Sequence, residues 1–304
     1  MKRAYLRAAV ELAAPHTWPA AVTPVLLGTL WAALTGAALR PYVALAVLAA
    51  AVLLQSAVNT LNDYADFVSG LDTAQSCADS SDAALVYRGV PPRFALALGL
   101  AFLLAAACIG ALLVRQCGAG LLVFAGAGLA AILLYVLPGV SLAALPLGEA
   151  LSGTAMGCVL TLAAAAAQGA VLSPAALLWC APAVLTVGSI MLTNNGCDIE
   201  KDRDAGRKTL PVLLGRKKTM QLLRITELSA AALAAANAAI FCTFWQGFAV
   251  ILAAGTALSA PIRTLLAAGP EPEARSARML GAVKAHSWIT GCQAAAAALA
   301  LMMK

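Results

Sequence analysis

The sequence predicts an all-α, polytopic membrane protein with about nine transmembrane helices. Of its 304 residues, 62% are hydrophobic and only 11% are charged, whereas a soluble globular domain carries roughly 25% charged residues. Apolar runs of about 20 residues, the length that crosses a bilayer as a helix, follow one another along most of the chain. These observations exclude a soluble globular protein and make membrane lipids the surroundings of most of the chain.

Nine apolar runs are the predicted helices, which together form a single membrane-embedded domain over residues 1–304. No charged residue separates the seventh run from the eighth, so that boundary depends on a turn at residues 245–247. In chain order the runs cover residues 19–38, 42–61, 94–114, 118–138, 146–167, 175–196, 222–243, 245–267 and 280–303.

The positive charges are distributed unequally between the loops. Arg40, Arg115 and Lys304 are the only Lys and Arg residues that this helix count places on one side. Positively charged loops stay in the cytoplasm, so the other side, with the N-terminus, is predicted to face the cytoplasm from the cell (inner) membrane. The net charge of +6 then reflects topology and predicts no nucleic acid partner. Segment 1–18 is predicted to be an amphipathic helix on the inner surface, and the polar segment 69–92 a cytoplasmic loop.

Two clusters of acidic residues interrupt the apolar chain. The first follows the second predicted helix and the second follows the sixth, so both are expected on the cytoplasmic side, and the repetition suggests two related halves with a site between them. Charged residues beside apolar spans usually mark binding sites, although a solvated surface is the alternative explanation for either cluster alone. The clusters comprise Asn62, Asp63, Tyr64, Asp66 and Asp72, and then Asp198, Glu200, Lys201, Asp202 and Asp204.

The spacing within each cluster suits metal binding. Asp63 and Asp66 are three residues apart and Asp198 and Asp202 four apart, so each pair projects from one face of a helix end. Magnesium prefers oxygen ligands and often bridges carboxylates to substrate phosphates, so two facing pairs favour a diphosphate held through magnesium, with two ions expected. These four carboxylates are the candidate catalytic groups, and together with Asn62 and Asp72 they are the candidate magnesium ligands. The candidate diphosphate-binding residues are Asn59, Asn195, Arg203, Arg207 and Lys208.

Five further residues, three of them aromatic or acidic and two of them histidines, are polar candidates outside the metal-binding set. Tyr64 is a candidate to line a cavity or contact an acceptor. Tyr135 either lines such a cavity or sits in the interfacial aromatic belt, and Glu149 either approaches the acceptor or simply begins a helix. His16 and His286 have no partner spacing that indicates a metal or a nucleophile, so structural or interfacial roles are expected for both.

The two motifs resemble those of the UbiA-type intramembrane prenyltransferases, most closely their naphthoate-prenylating, menaquinone branch. In place of the carboxylate found four residues after the second Asp in the benzoate-prenylating branch, this chain has Gly70, with Asp72 beyond it. The resemblance is carried by Asn62-Asp63-Tyr64-x-Asp66-x-x-x-Gly70-x-Asp72, Asn194-Asn195-x-x-Asp198-x-x-x-Asp202-x-x-x-Gly206-Arg207-Lys208-Thr209-Leu210, Leu147-Gly148-Glu149 and Pro211-Val212-Leu213-Leu214-Gly215.

This resemblance implies helices around a central cavity, with magnesium and a polyprenyl diphosphate at its cytoplasmic mouth. It implies transfer of the polyprenyl chain to 1,4-dihydroxy-2-naphthoate with loss of the ring carboxylate, giving demethylmenaquinol. Ala14 and Cys197 stand where the family commonly has Arg, so another naphthoate, a benzoate or a porphyrin remains an alternative acceptor. A cation-coupled transporter is the alternative outside the enzymes, although transport sites lie near the bilayer midplane and these clusters lie at helix ends.

Overall fold

The computed structural model describes residues 2–74, 77, 83–136, 141–241 and 275–303, and every regular element within these ranges is helical. Two short 3₁₀ turns (Pro15–Thr17 and Leu142–Ala144) and one π-helical segment (Gly153–Val159) join the α-helices. The α-helices are α1 (Lys2–Ala13), α2 (Pro19–Leu34), α3 (Pro41–Val68), α4 (Ala84–Arg88), α5 (Pro92–Cys117), α6 (Leu121–Val136), α7 (Gly148–Ser152), α8 (Leu160–Ala167), α9 (Pro174–Cys197), α10 (Ile199–Asp204), α11 (Leu210–Phe241) and α12 (Arg275–Met302).

Five helical segments are long and apolar enough to cross a membrane: α3, α5, the continuous stretch Gly148–Ala167, α9 and α11. A sixth is added if the N-terminal helix and α2, which are bent by 49° relative to each other, form one broken span. Helix α6 is apolar but shorter, and α12 covers the ninth predicted run. The eighth predicted run and the turn at 245–247 lie outside the described residues, so the count of nine and the two related halves stay predictions.

Prolines and glycines set the ends of several helices. Helices α2, α3, α5 and α9 each begin with proline, whose fixed φ and missing N–H suit the first helical position. Helix α3 runs to Val68, past the predicted end at residue 61, because no helix breaker occurs before Gly70, which has φ 76°. The first acidic motif therefore lies on the last turns of a helix.

Glycines allow the helices around the site to approach closely. A Cβ built on Gly28 of α2 would lie 2.1 Å from the carbonyl oxygen of Thr161, and one on Gly157 would lie 2.4 Å from the backbone nitrogen of Val184. Such contacts between backbones are typical of helix pairs in membranes. They fix α2 against α8 and the π-helical segment against α9.

Buried hydrogen bonds also join the helices. The ring of His286 in α12 contacts the hydroxyl oxygens of Thr23 at 2.6 Å and Thr186 at 2.7 Å, so one fully buried side chain links α2, α9 and α12. Near the other ends of the helices, the backbone N–H of Arg40 donates to Oε1 of Gln168 at 2.8 Å, and the guanidinium of Arg40 donates to the carbonyl oxygen of Ala167. This places His286 in a structural role and fastens the end of α8 to the start of α3.

Candidate active site

A cavity of about 730 Å³ lies between α3, α5, α6, the stretch 148–167 and α9. Both acidic motifs line one end of it, which we call the acidic mouth. The opposite, apolar end is lined by Val47, Leu113, Leu121, Leu160 and Ala167. One chamber therefore joins a highly charged opening to a hydrocarbon-like interior.

The first motif turns back on itself at the acidic mouth. Asp63 and Asp66 both line the cavity from the end of α3, and the amide of Asn62 donates to Oδ2 of Asp66 at 2.8 Å. Gly70, with φ 76°, reverses the chain, so the N–H of Asp72 donates to the carbonyl oxygen of Asp66 at 3.1 Å. Asp72 is thereby brought, nearly buried, to the same wall.

The second motif straddles the break between α9 and α10. Asp198 lies at the break and forms an ion pair with Arg275 from the start of α12. Asp202, only 2% exposed, accepts hydrogen bonds from the hydroxyl of Thr209 at 3.2 Å and from Arg207 at 3.2 Å. Asp198 and Asp202 line the cavity opposite the first motif.

Arg207 stands between the two motifs. One of its nitrogens lies 3.2 Å from Oδ1 of Asp202 and the other lies 3.4 Å from Oδ1 of Asp66. A second cation, Lys201, lies 2.7 Å from Oδ1 of Asp72. The two motifs are therefore connected by ion pairs across the acidic mouth.

Burial and charge shift the pKa values of these groups in opposite senses. Burial raises the pKa of Asp202 above its ordinary value, although the charge of Arg207 opposes the shift. Burial lowers the pKa of Lys201 and Arg207, but the neighbouring carboxylates Asp72, Asp66 and Asp202 outweigh it and raise both pKa values. Both cations therefore keep their charge at physiological pH.

The donor set fits magnesium in its chemistry, since carboxylate and amide oxygens are the ligands this ion prefers. Within the described ranges, no three His, Cys, Asp or Glu side chains already converge in a metal-binding arrangement. Asp66 and Asp202 share Arg207 instead. Ions that bridge the two motifs would have to compete with this side chain.

Four other predicted residues also lie near the acidic mouth. The amide of Asn195 donates to Oε1 of Glu149 at 2.9 Å, so these two form a nearly buried pair. Tyr135 lines the cavity, and its hydroxyl donates to the sulfur of Met191 at 3.5 Å. The amide N–H groups of Asn59 contact the carbonyl oxygen of residue 13 at 3.3 Å and Oγ1 of residue 17 at 2.9 Å. Oδ1 of Asn59 accepts from the amide of Gln55 at 3.5 Å, so Asn59 offers no free N–H group to phosphate oxygens.

Three predicted residues are not brought to the cavity wall. Tyr64 packs against the cluster formed by α1, α4 and α5 on the other face of α3. Arg203 and Lys208 are exposed and do not line the cavity. Neighbours in a motif face different directions around a helix, which explains why Asp202 enters the site and Arg203 does not.

Several residues of the cavity wall were not predicted from the sequence as site residues, among them two cations and a histidine. Lys201 and Arg275 pair with motif carboxylates, and His16, for which a structural or interfacial role was expected, lines the cavity. Lys201 lies inside the second motif, which was a usable signal. Arg275 is separated from Asp198 by the whole of α11 and residues 242–274, and nothing in its local sequence indicates the contact.

Two acidic motifs at one end of an apolar cavity, within a helical membrane fold, form the arrangement of an intramembrane enzyme. The chain belongs to the UbiA prenyltransferase family, whose model matches residues 21–288. It is therefore a membrane prenyltransferase, and the resemblance of its motifs is confirmed.

Named relatives match a large part of the chain. The 1,4-dihydroxy-2-naphthoate octaprenyltransferase of Bacillus subtilis (strain 168) is 36% identical over 213 residues, which are 70% of this chain and 68% of the relative. The UbiA prenyltransferase domain-containing protein 1 of Homo sapiens is 30% identical over 205 residues, 66% of this chain but only 59% of the relative.

Solved structures share the fold. A UbiA homolog from Archaeoglobus fulgidus bound to GPP and Mg²⁺ superposes with a TM-score of 0.68 at 16% identity, over 97% of this chain and 99% of that one. The apo structure of a UbiA homolog from Aeropyrum pernix K1 gives a TM-score of 0.60 at 22% identity, over 88% and 96% of the two chains. At these identities the likeness concerns the fold alone.

Proposed function

We propose that this protein transfers a polyprenyl chain from a polyprenyl diphosphate to 1,4-dihydroxy-2-naphthoate in a magnesium-dependent reaction. The ring loses its carboxylate, and the product is demethylmenaquinol, a menaquinone precursor. The observation that carries the proposal is the convergence of Asp63, Asp66, Asp72, Asp198 and Asp202 on the mouth of one apolar cavity. The name of the Bacillus relative supports the acceptor, and the ligands of the Archaeoglobus structure support magnesium and a prenyl diphosphate.

The cavity suits a substrate with a charged head and a long apolar chain. From Asp63 at the acidic mouth to Val47 at the apolar end, α3 rises by about 24 Å. A polyprenyl chain laid along this wall buries its surface against alkyl side chains, which favours binding. The diphosphate would then lie between the two acidic motifs, and the polyprenyl chain would lie below them in the apolar part of the cavity.

The side chains of the acidic mouth are suited to promote departure of pyrophosphate. Asp63, Asp66, Asp198 and Asp202 would hold the magnesium, with Asn62 and Asp72 nearby. Bound magnesium neutralises the charge that develops on the diphosphate oxygens. Arg207, released from its carboxylates, can donate two parallel hydrogen bonds to a phosphate group, and so it stabilises the same charge.

The reaction breaks the bond between the first prenyl carbon and its diphosphate oxygen, and pyrophosphate leaves with the electron pair. A ring carbon then bonds to the allylic cation, and the carboxyl group leaves as carbon dioxide. Water would react with the allylic cation in competition with the ring. The apolar walls contributed by α5 and α6 keep water out of the cavity.

Purified protein in lipid nanodiscs, supplied with magnesium, octaprenyl diphosphate and 1,4-dihydroxy-2-naphthoate, should form a prenylated naphthoquinol and release pyrophosphate. Competition with 4-hydroxybenzoate and other naphthoates separates the acceptors. If a product forms only with a different ring, the proposed acceptor is wrong but the proposed class of reaction, prenyl transfer, stands. Cation flux in liposomes without pyrophosphate release would instead support the transporter.

A further inference from the structure

A strip of polar side chains interrupts the apolar wall just below the acidic mouth. It is formed by His16 and Thr17 from the 3₁₀ turn and by Gln55 and Asn59 from α3, and all four line the cavity. We call these four residues the polar strip. Side chains lining the wall across from it, on α6 and the stretch 148–167, include Phe124, Ile132 and Met156.

Hydrogen bonds inside the polar strip leave two of its members available for a ligand. The hydroxyl of Thr17 donates to the carbonyl oxygen of Ala14 at 2.9 Å and accepts from the amides of Asn59 at 2.9 Å and Gln55 at 3.3 Å. Among the described residues, neither Oε1 of Gln55 nor the ring of His16 has a hydrogen-bond partner. Thr17 and Asn59 therefore orient Gln55, and Gln55 and His16 keep free acceptor atoms toward the cavity.

The backbone is strained where it presents this turn. Ala14 has φ 46° and ψ 64° and is the one non-glycine residue with positive φ in the described part of the chain. A left-handed conformation costs a residue with a Cβ about 1 kcal/mol or more. The strain ends α1 and directs residues 15–17 against α3, which is what brings His16 and Thr17 to the cavity wall.

The depth of the polar strip matches the place where the ring must react. Asn59 and Gln55 lie one and two helical turns from Asp63, or about 6 and 12 Å along the axis of α3. The reacting carbon of a prenyl diphosphate is the carbon bonded to the diphosphate, so the acceptor ring must lie immediately below the carboxylates. The polar strip supplies neutral polar groups at that depth, between the acidic mouth and the apolar end.

We propose that His16 and Gln55 bind the hydroxyl groups of the aromatic acceptor, an inference that rests on the proposed function. Ring hydroxyls donate to Oε1 of Gln55 and to a ring nitrogen of His16, while the ring packs against the apolar side chains opposite. Thr17 and Asn59 act as positioning residues. A bound ring without hydroxyl groups would cover these two acceptors without pairing them, and such a loss discriminates strongly between similar substrates.

The test separates the two substrates. In nanodiscs, Gln55→Leu and His16→Leu should raise the KM for the acceptor about tenfold, the effect of losing one hydrogen bond of about 1.4 kcal/mol. The KM for the prenyl diphosphate should stay within about twofold, and His16→Gln, which keeps an acceptor atom, should recover part of the loss. Leu104→Met, a conservative change at an exposed residue of α5 that does not line the cavity, is the control and should alter neither value. Equilibrium binding of the ring, followed by its own fluorescence, should weaken in parallel with the KM.

An unchanged acceptor KM in both leucine variants would overturn the assignment. So would an equal rise of both KM values with a lowered melting temperature, because that pattern indicates a structural role. If wild-type protein prenylates no dihydroxynaphthoate, the proposed function fails separately, and the binding assay with 4-hydroxybenzoate and other phenolic acids then decides the role of the polar strip. Absence of binding by every such ring, or equal binding by wild type and variants, would also refute it.

Discussion

Replacing Arg207 with glutamine should destabilise the metal-free protein and make its stability depend on magnesium. The side chain contacts Asp202 at 3.2 Å and Asp66 at 3.4 Å, and it is 25% exposed. A hydrogen bond to a charged group contributes about 1.5 to 3 kcal/mol. Both contacts are longer than the 2.7–2.9 Å typical of strong charged pairs, so the lower value, about 1.5 kcal/mol, applies to each. The free energy of unfolding should therefore fall by about 3 kcal/mol.

Magnesium should restore most of this loss in the variant. An ion at 100 times its Kd stabilises the folded state by about 2.7 kcal/mol. In the wild type the gain should be smaller, because Arg207 competes with the ion for Asp66 and Asp202. Unfolding measured in mixed micelles with EDTA and then with magnesium gives both quantities.

The control is Arg203→Gln, which removes an exposed cation four residues away along the same segment. Its stability should change by less than about 0.5 kcal/mol, and its response to magnesium should equal that of the wild type. If magnesium stabilises the wild type and the Arg207 variant equally, then Arg207 does not compete with the ion and the interpretation of the acidic mouth is wrong.

Three further outcomes are expected. Asp63→Ala or Asp198→Ala should abolish prenyl transfer while the melting temperature stays within a few degrees of wild type, and substantial turnover in both would remove the metal-site assignment. Gly28→Ala should destabilise by about 1 to 3 kcal/mol because its Cβ would meet a backbone carbonyl oxygen at 2.1 Å, whereas Gly126→Ala, with nothing within 4 Å, should be neutral or slightly stabilising in thermal melts. Gly128→Phe should fill the middle of the cavity without a clash, because Gly128 lines the cavity and has open space around it. With a mixture of prenyl diphosphates, the products of this variant should carry shorter prenyl chains than those of the wild type. Gly126→Phe should leave the chain length of the products unchanged.

The sequence predicted the helical membrane fold and the acidic motifs well, because both depend on local patterns. Hydropathy located both ends of α5, α9 and the stretch 148–167, and the start of α3, to within a few residues. It ended α3 early, since Asn62, Asp63 and Asp66 lower hydropathy without breaking a helix. Those same residues supplied the motif that identified the family.

Which side chains meet across the site was less predictable, because contacts between distant segments depend on how the helices turn about their axes. Tyr64 was a reasonable candidate beside Asp63, but it faces α1. Arg275 carried no local signal and reaches Asp198 only through the packing of α12 on α9. His16 reaches the cavity wall only because of the strained turn at residue 14, which the local sequence does not predict.

The apolar end of the cavity determines how the two products can leave. Beyond Gln55, every described side chain lining the cavity toward Val47 and Ala167 is apolar, so an ion there would lose its hydration without receiving ligands in return. In the proposed reaction, pyrophosphate and its metal must therefore depart on the side where the diphosphate binds, while the prenylated ring needs only an apolar route into the bilayer. The same dry segment is a barrier to ion passage, which makes the cavity far better suited to a reaction chamber than to a transport channel.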